Sequence, residues 1–300
     1  MKNTVNILDK GFIRLRNLSG PIRRTRTYEE YKEGMVLKDS NRPFDADDTD
    51  PAITARISFN NLEARARELD LKLYEYLISN LHTTPVEMIE TWWDIKVPMA
   101  IGEQILRHRT ATINKISGRY TDLGGEWYIP SKYTVGVKSK SNKQGRDLIA
   151  WRDLTFFQKL KVLSFLKLLN VHNTIGHFWY KFFTKLGIAP ELCRFFLQAN
   201  HYTVFVYKQD LHNLMHFLSL RLDNHAQYEA RQVAAAMYEL LSTYLPKSME
   251  YFDTYRRMLT EEELAELAII FDLGNRRSLG LNNSEERKIY LKLRKRFLKR

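Results

Sequence analysis

The stretch MIETWWDIKVPMAIGEQILRHRT, Met88–Thr110, changes its hydrophobic period halfway along and so predicts a strand followed by a helix. Its first part, Met88–Val97, partly alternates and is rich in aromatic and β-branched side chains, which favours a strand. Pro98 suits the first turn of a helix, on which Ile101 and Ile105 would face the core. We expect that helix to end near the last residue of the stretch, because β-branched and polar residues dominate after it.

Helical spacing of apolar residues recurs along the rest of the chain. It predicts helices over residues 62–81, 148–186, 211–222, 225–244 and 284–300, with Asp210 as a candidate N-cap of the third. A strand is predicted over Asn6–Leu15, and residues 53–60 contain a further short element. The polar residues 22–51 and 135–147 are predicted to form a surface insertion and a mobile loop. The whole pattern predicts a mixed α+β fold with helical insertions.

The net charge of +12 indicates an anionic partner, which could be nucleic acid, a membrane surface or a small polyanion such as a nucleotide or a folate. No apolar run is long enough to span a membrane, and the first residues do not resemble a signal peptide. A soluble, cytoplasmic protein is therefore expected. The single cysteine, Cys193, excludes an intramolecular disulfide and a multi-cysteine zinc site.

The segment RHRTATINKISGRY, Arg107–Tyr120, contains four cationic side chains with a histidine between the first two arginines. Arginine presents a planar fork of donors that suits phosphate and carboxylate groups. Ser117 adds a compact donor, and Gly118 would let backbone amides approach an anion closely. A run of solvated charges would have the same composition, so this spacing alone supports an anion site only weakly.

Three other candidate sites have plainer explanations. Cys193 lies in PELCRFFL among apolar residues, which favours a core position over a reactive thiol. The sequence HNLMH places His212 and His216 one helical turn apart, but Asn213 stands where a zinc protease needs glutamate, so no metal is expected. The basic end KLRKRFLKR carries no known nucleic-acid-binding signature, and solvated charge or docking on another subunit is favoured.

Several motifs together resemble the flavin-dependent thymidylate synthases. Arg107-His108-Arg109, followed after seven residues by Ser117, is similar to the signature of that family. The resemblance extends to HTTPVE at 82–87, LRLDNHAQYEAR at 220–231, ILDKGF at 7–12 and ARISF at 55–59. It covers residues 5 to about 252, apart from insertions at about 22–51 and 135–150. It therefore implies one synthase-like domain over residues 1–252 and a basic helical extension over residues 253–300.

The resemblance implies a homotetramer whose active sites are shared between subunits. It implies conversion of dUMP to dTMP with methylenetetrahydrofolate, NADPH and FAD, and no membrane or nucleic-acid partner. By position, the residues expected to bind dUMP are Gln104, Arg107, Ser117, Gly118, Arg119, Arg194 and Arg221, with Arg221 and Ser117 as the catalytic candidates. Those expected to contact FAD are Ser58, His82, Thr84, Arg107, His108, Arg109, Lys115, Asp210, His212 and His216.

The implied chemistry agrees with the residue types, because Arg221 stays protonated and would stabilise negative charge on the uracil ring without a cysteine nucleophile. The chain departs from the family at Lys115, where glutamate is usual, and at Glu103, where arginine is frequent. Asp210 and His212 replace a commoner asparagine and arginine. The reversed charge at Lys115 motivates an alternative, a dUMP 5-hydroxymethylase on the same site. A second alternative is a basic nucleic-acid-binding protein on this fold.

Overall fold

The computed structural model describes residues 3–20, 44–60, 65–139, 145–148 and 150–255, and within them the fold mixes helices with a five-stranded sheet. The strands are β1 (Thr4–Ile7), β2 (Gly11–Ser19), β3 (Glu90–Pro98), β4 (Thr112–Lys115), β5 (Val137–Lys138), β6 (Arg146–Asp147) and β7 (Tyr202–Asp210). The sheet has the order β1-β2-β3-β7-β4, and β5 pairs with β6 in a separate antiparallel ribbon. The predicted α+β class is thus confirmed as a mixed helix and sheet architecture.

Nine α-helices are described. They are α1 (Asp50–Arg56), α2 (Arg67–Ser79), α3 (Thr84–Glu87), α4 (Met99–Ile105), α5 (Phe156–Lys185), α6 (Pro190–Cys193), α7 (Leu211–Arg221), α8 (Tyr228–Tyr244) and α9 (Pro246–Tyr255). Among the described residues, none of the helices combines the length and the apolar character that a membrane span requires. The helix predicted over residues 284–300 lies outside the described part of the chain.

The strand-to-helix change at Pro98 is confirmed, but α4 is shorter than predicted. It ends at Ile105, and the last backbone bonds run from Leu106 N–H to the Gly102 carbonyl. Thr110 then accepts a hydrogen bond from the Gln209 side chain at 2.7 Å. The β-branched residues that follow pair with β7 in antiparallel register, because an edge strand suits them better than a helix does. Arg107 and His108 therefore lie in the connection rather than on the helix.

The first of two compact units contains the described residues of Met1–Asn17, Thr91–Gln209 and His225–Leu240. Its core lies around the central strand β3, which is buried along most of its length between β2 and β7. Fully or almost fully buried side chains of this core include Ile13, Leu15, Trp93, Ile95, Phe205, Tyr207, Val233 and Met237. The strand predicted over Asn6–Leu15 is instead a hairpin of β1 and β2, since Leu8 takes a left-handed turn conformation with φ of 57°.

Helix α5 begins with a capping box: Thr155 accepts from Gln158 N–H, and the Gln158 side chain accepts from Thr155 N–H. Of its thirty residues only Asn173, Gly176 and Tyr180 are buried. Many of the others are large and apolar, and their exposure is considerable, at 75% for Phe156 and 67% for Leu168. A long apolar helix face is thus exposed in the part of the chain that the structure describes.

The second unit contains the described residues of Leu18–Glu90, Asp210–Asn224 and Leu241–Arg300. It is helical, and the acidic segment 46–50 is buried inside it. The Asp48 carboxylate accepts from the backbone N–H groups of Lys247 and Ser248 at the start of α9, at 3.0 and 2.8 Å. The prediction of a surface segment is therefore wrong for residues 46–50, because their carboxylates find donors inside the unit; residues 22–43 lie outside the described part.

Candidate functional site

The turn between α4 and β4 displays the cationic segment. Arg107 and Arg109 are exposed there, and His108 between them is half-buried. Lys115 lies at the end of β4, where its Nζ is 2.9 Å from Glu103 Oε1 on α4. Lys115 and Glu103, two of the four departures from the family pattern, therefore form an ion pair in which their charges cancel.

Ser117, Gly118 and Arg119 form a turn directly after β4. Tyr120 N–H donates to the Ser117 carbonyl at 3.1 Å, and Arg119 N–H donates to Ser117 Oγ at 3.3 Å. Gly118 is buried, and a β-carbon there would come within 2.7 Å of a Leu123 methyl group. The glycine lets Leu123 pack closely against the turn, which places Ser117 and Arg119 directly after β4.

Glu191 on α6 connects two of the residues expected to bind dUMP. Its carboxylate lies 3.3 Å from Arg119 Nε, and its carbonyl accepts from Arg194 Nε at 3.2 Å. Arg119 also lines a cavity of about 750 Å³ beside α5, together with Lys181 and Lys185. The folded chain therefore places Arg119 and Arg194 around Glu191, and the cavity that Arg119 lines holds three cationic side chains and the carboxylate of Asp122, which pairs with Lys181.

Cys193 is 1% exposed and packs with Tyr180 and Leu197 in a small apolar cluster. Its thiol donates to the Ile188 carbonyl at 3.4 Å. The core position predicted from the sequence is confirmed, and this burial makes the thiol unsuitable as a nucleophile.

Gln104 on α4 has a partner that the residue-by-residue comparison with the family missed. Its side-chain amide donates to Gln227 Oε1, and Gln227 in turn donates to the buried Glu229 at 2.9 Å. Both partners belong to the LRLDNHAQYEAR motif, from which only Arg221 was assigned a role. The polar, amide-rich composition of that motif is the signal that could have indicated them.

In the second unit, the structure brings two of the predicted flavin-contacting residues together. His82 and His212 line one narrow cavity, between α2, α3 and α7, with Thr83 at its wall. The His82 ring stacks on Tyr76 with a centroid distance of 6.3 Å and an interplanar angle of 22°. This cavity presents two imidazoles from segments far apart in the chain.

The remaining predicted residues of this unit lie at helix ends or on the surface. Asp210 is the N-cap of α7, as predicted: its carboxylate accepts from Asn213 N–H at 2.8 Å and from the Asn213 side chain at 2.7 Å. His216 and Thr84 are exposed on α7 and α3, and Ser58 is exposed in a short 3-10 helix. Arg221 ends α7 and is half-buried; burial lowers the pKa of its guanidinium, which nevertheless stays protonated.

The predicted site residues thus divide between the two units. The first unit holds Gln104, Arg107, His108, Arg109, Lys115, Ser117, Gly118, Arg119 and Arg194. The second holds Ser58, His82, Thr84, Asp210, His212, His216 and Arg221. Of the first set only Arg119 lines the cavity beside α5, and of the second set only His82 and His212 line the small cavity between α2, α3 and α7.

Comparison with known proteins matches the chain to one family. The sequence model of the family described as "Thymidylate synthase complementing protein" matches residues 42–247. A flavin-dependent thymidylate synthase of Treponema denticola is 32% identical over 294 residues. The match covers 98% of this chain and 98% of the relative. One from Rickettsia bellii is 36% identical over 225 residues, which cover 70% of this chain and 73% of the relative.

Solved structures agree at the level of the fold. The crystal structure of a UMP/dUMP methylase, PolB from Streptomyces cacaoi, bound with 5-Br dUMP superposes with a TM-score of 0.61 at 24% identity. The match covers 71% of this chain and 93% of PolB. Since the family model spans more than half of the chain and relatives above 30% identity cover most of it, this protein belongs to the thymidylate synthase complementing protein family, whose similar members are named flavin-dependent thymidylate synthases.

Proposed function

We propose that this protein converts dUMP to dTMP by reductive methylation, with methylenetetrahydrofolate as carbon donor, NADPH as reductant and FAD as bound cofactor. Uracil C5 bonds to the methylene carbon and loses its proton, and a hydride equivalent from NADPH completes the methyl group as tetrahydrofolate leaves. The observation that carries this proposal is the burial of the only cysteine, which is 1% exposed, while Ser117 and Arg119 stand in a turn as donors for a nucleotide. Without an accessible thiol, the ring has to be activated electrostatically.

Arg221 is suited to that activation. A guanidinium at the uracil carbonyl and N3 stabilises the negative charge that develops as C5 attacks, and one well-placed donor of this kind contributes about 3 kcal/mol. Its partial burial strengthens such a charge interaction, because less water screens it. Arg119, Lys181 and Lys185 line the cavity beside α5, and these three cations outnumber the two carboxylates that pair with them, Glu191 and Asp122, which leaves a counter-charge for the nucleotide phosphate.

The residue types expected to hold FAD fit a dinucleotide. Arg107 and Arg109 are exposed and offer planar donor forks to a diphosphate, and the exposed His82 and half-buried His212 each offer an imidazole. When bound, FAD would supply the redox centre for hydride transfer between NADPH and the carbon unit. The chain's own residues bind and orient these partners and exclude water from them.

A homotetramer with shared active sites is part of the same proposal, and the open face of α5 supports it. Phe165, Leu168 and Phe178 on this helix are each at least half exposed on the described chain. Apolar patches of this extent mark interaction surfaces, and a second copy of the same helix is apolar enough to cover one. Leu168→Glu should therefore dissociate the assembly in light scattering after size exclusion, whereas Lys167→Glu on the same helix should leave it intact; an unchanged mass for the first variant would contradict this interface.

The alternative hypothesis, a dUMP 5-hydroxymethylase, is motivated by the reversed charge of Lys115. In the structure Glu103 neutralises that charge at 2.9 Å, so the pair as a whole carries no net charge. The methyl product is therefore favoured over the hydroxymethyl one.

The decisive experiment is mass spectrometry of the nucleotide formed from dUMP with methylenetetrahydrofolate, NADPH and FAD. We expect the mass of dTMP. A hydroxymethyl product would move the function to the rival, and a colourless preparation that binds DNA in a salt-sensitive manner would favour the nucleic-acid-binding alternative. No product from a protein that binds both FAD and dUMP would contradict the proposed activity.

A further inference from the structure

A chain of hydrogen bonds in the first unit ends on Gln104, one of the residues expected to bind dUMP. It begins at Glu229 on α8, which is 2% exposed. Glu229 Oε2 accepts from Gln227 Nε2 at 2.9 Å, and Gln227 Oε1 accepts from Gln104 Nε2. Residues 123 positions apart in the sequence are thereby connected through two side-chain amides.

The first member of this chain is firmly held. Glu229 Oε1 accepts from Arg146 Nη2 at 2.6 Å and from the Tyr128 hydroxyl at 3.1 Å. Burial by itself raises the pKa of Glu229, but the hydrogen bonds from Arg146 and Gln227 outweigh it, so the pKa lies below its ordinary value. The Arg146 guanidinium also lies over the Tyr228 ring, 5.4 Å from its centroid. The carboxylate is consequently ionised and fixed in place.

An ionised carboxylate can only accept hydrogen bonds, and this decides how both amides are turned. Gln227 has to direct its NH₂ group toward Glu229, because its oxygen there would face another acceptor. Its oxygen then points to Gln104, which has to respond with its own NH₂ group. The amide oxygen of Gln104 is therefore turned away from Gln227, and its orientation is set by a charge two side chains away.

We propose that Glu229 and Gln227 are positioning residues that orient the Gln104 amide, so that its oxygen accepts a hydrogen bond from a donor group of dUMP. The 3′-hydroxyl of dUMP is one such donor, and the ring N3–H is another as long as the uracil ring is neutral. We call the hydrogen-bonded series Glu229, Gln227 and Gln104 the relay. Arg146, on β6 in the segment expected to be an insertion, holds the Glu229 end of the relay in place. This inference rests on the proposed function, in which Gln104 contacts dUMP.

The test is titration of the FAD-loaded full-length protein with dUMP by isothermal calorimetry, combined with steady-state kinetics. Gln227 is exposed, so Gln227→Met should fold normally while breaking the relay. We expect its Kd and KM for dUMP to rise about tenfold, as for the loss of one hydrogen bond to a positioned group, with kcat within about twofold of wild type. Gln232→Met on α8, the helix that follows Gln227, is the matched control and should leave Kd, KM and kcat unchanged.

A rescue variant separates positioning from simple stabilisation. Glu229→Gln alone should weaken dUMP binding, because a neutral amide at position 229 no longer dictates how Gln227 is turned. Exchanging the two groups, Gln227→Glu with Glu229→Gln, again places a carboxylate as the acceptor for Gln104 and should restore most of the affinity. A purely structural role predicts that melting temperature and FAD retention fall together with affinity and that the exchange rescues none of them.

Each outcome is informative. The relay is overturned if Gln227→Met binds dUMP like the Gln232→Met control while Gln104→Met is at least tenfold weaker. It is equally overturned if Gln104→Met binds dUMP like wild type, since nothing then needs orienting. If the wild-type protein binds dUMP but does not methylate it, only the proposed function is contradicted, because the dUMP affinities of the variants still test the relay. If the wild-type protein does not bind dUMP, both the proposed function and the relay are contradicted.

Discussion

Arg221 is the single side chain whose replacement tests the thiol-free chemistry most directly. Arg221→Ala should lower kcat by about a hundredfold or more, because a preorganised donor to the developing negative charge is lost. FAD retention, measured by the flavin absorbance of the purified protein, should change little. Arg221→Lys is the control that keeps the charge and loses the planar fork, and should have intermediate activity. Near-wild-type turnover of Arg221→Ala would show that another group activates the ring.

The ion pair of Glu103 and Lys115 gives a second residue-level prediction. Lys115→Glu places two carboxylates where Nζ and Oε1 are now 2.9 Å apart, and should lower activity or FAD retention. The double variant Glu103→Arg with Lys115→Glu restores an ion pair of opposite polarity, in the arrangement usual for the family, and should recover activity to within about threefold. Because both side chains are partly exposed, unfolding free energies should change by only about 1 kcal/mol. A double variant as impaired as the single one would show that the pairing is irrelevant to function.

For individual residues, the type of the residue and of its neighbours predicts some features correctly. The burial of Cys193 followed from its apolar neighbours, and the structure confirms it. The pairing of Glu103 with Lys115 did not follow, since each residue was seen only as a separate departure from the family. A change of charge has meaning only with its spatial partner, and that partner lies twelve residues away across a helix end and a strand.

Among the helices, α7 offers the clearest test of a local signal. Asp210 was expected both to cap this helix and to face FAD, and the structure shows the cap through two bonds to Asn213. Asp210→Ala should lower the unfolding free energy by about 1 kcal/mol, since an N–H of the first turn loses its acceptor. Asp210→Asn keeps an acceptor oxygen and should stay within a few tenths of a kcal/mol of wild type in urea denaturation.

The flavin content of the same two variants separates the two roles of Asp210. If Asp210 serves only as a cap, FAD retention should be normal in Asp210→Asn. Loss of FAD from a stable Asp210→Asn protein would instead assign the negative charge itself to the cofactor.

Helix and strand periods predicted most elements but placed several ends incorrectly. The helix expected from residue 148 begins at Phe156, where the Thr155 capping box sets its start. The helix after Pro98 ends at Ile105, well before Thr110, because sheet pairing with β7 competes for the residues that follow. An element's type depends on its own residues, whereas its end depends on which neighbour satisfies the next backbone groups.

For the molecule as a whole, acid stability should depend on the buried carboxylate of Asp47. Burial raises the pKa of Asp47, but hydrogen bonds from Arg67 and Thr49 outweigh it and lower the pKa to about 2. Because the pKa of Asp47 is lower in the folded state than in the unfolded state, the ionised carboxylate stabilises the fold at pH values above about 3.8, the unfolded pKa. This stabilisation is lost as the pH falls toward 2. The contribution amounts to roughly 2 kcal/mol.

Asp47→Asn is the variant that measures this contribution. In urea unfolding its deficit against wild type should be largest above pH 4 and should shrink steadily as the pH approaches 2. Asp48 titrates at higher pH, because burial, with a smaller contribution from the Asp47 charge, raises its pKa above 3.8, so the comparison is made between pH 2 and 4. A deficit that is the same at every pH would mean that Asp47 acts through packing rather than through its charge.

The sequence by itself determined the mixed helix and sheet class, the family and the cationic segment Arg107–Tyr120, because hydrophobic period and motif spacing are local properties of the chain. Only the tertiary structure decided that Glu103 pairs with Lys115, that Glu191 contacts both Arg119 and Arg194, and that Gln227 bonds both Gln104 and Glu229. Two of these contacts, Lys115 with Glu103 and Gln104 with Gln227, join side chains 12 and 123 positions apart. Such a contact depends on the path of the folded backbone between its two residues, and no local pattern of residues records that path.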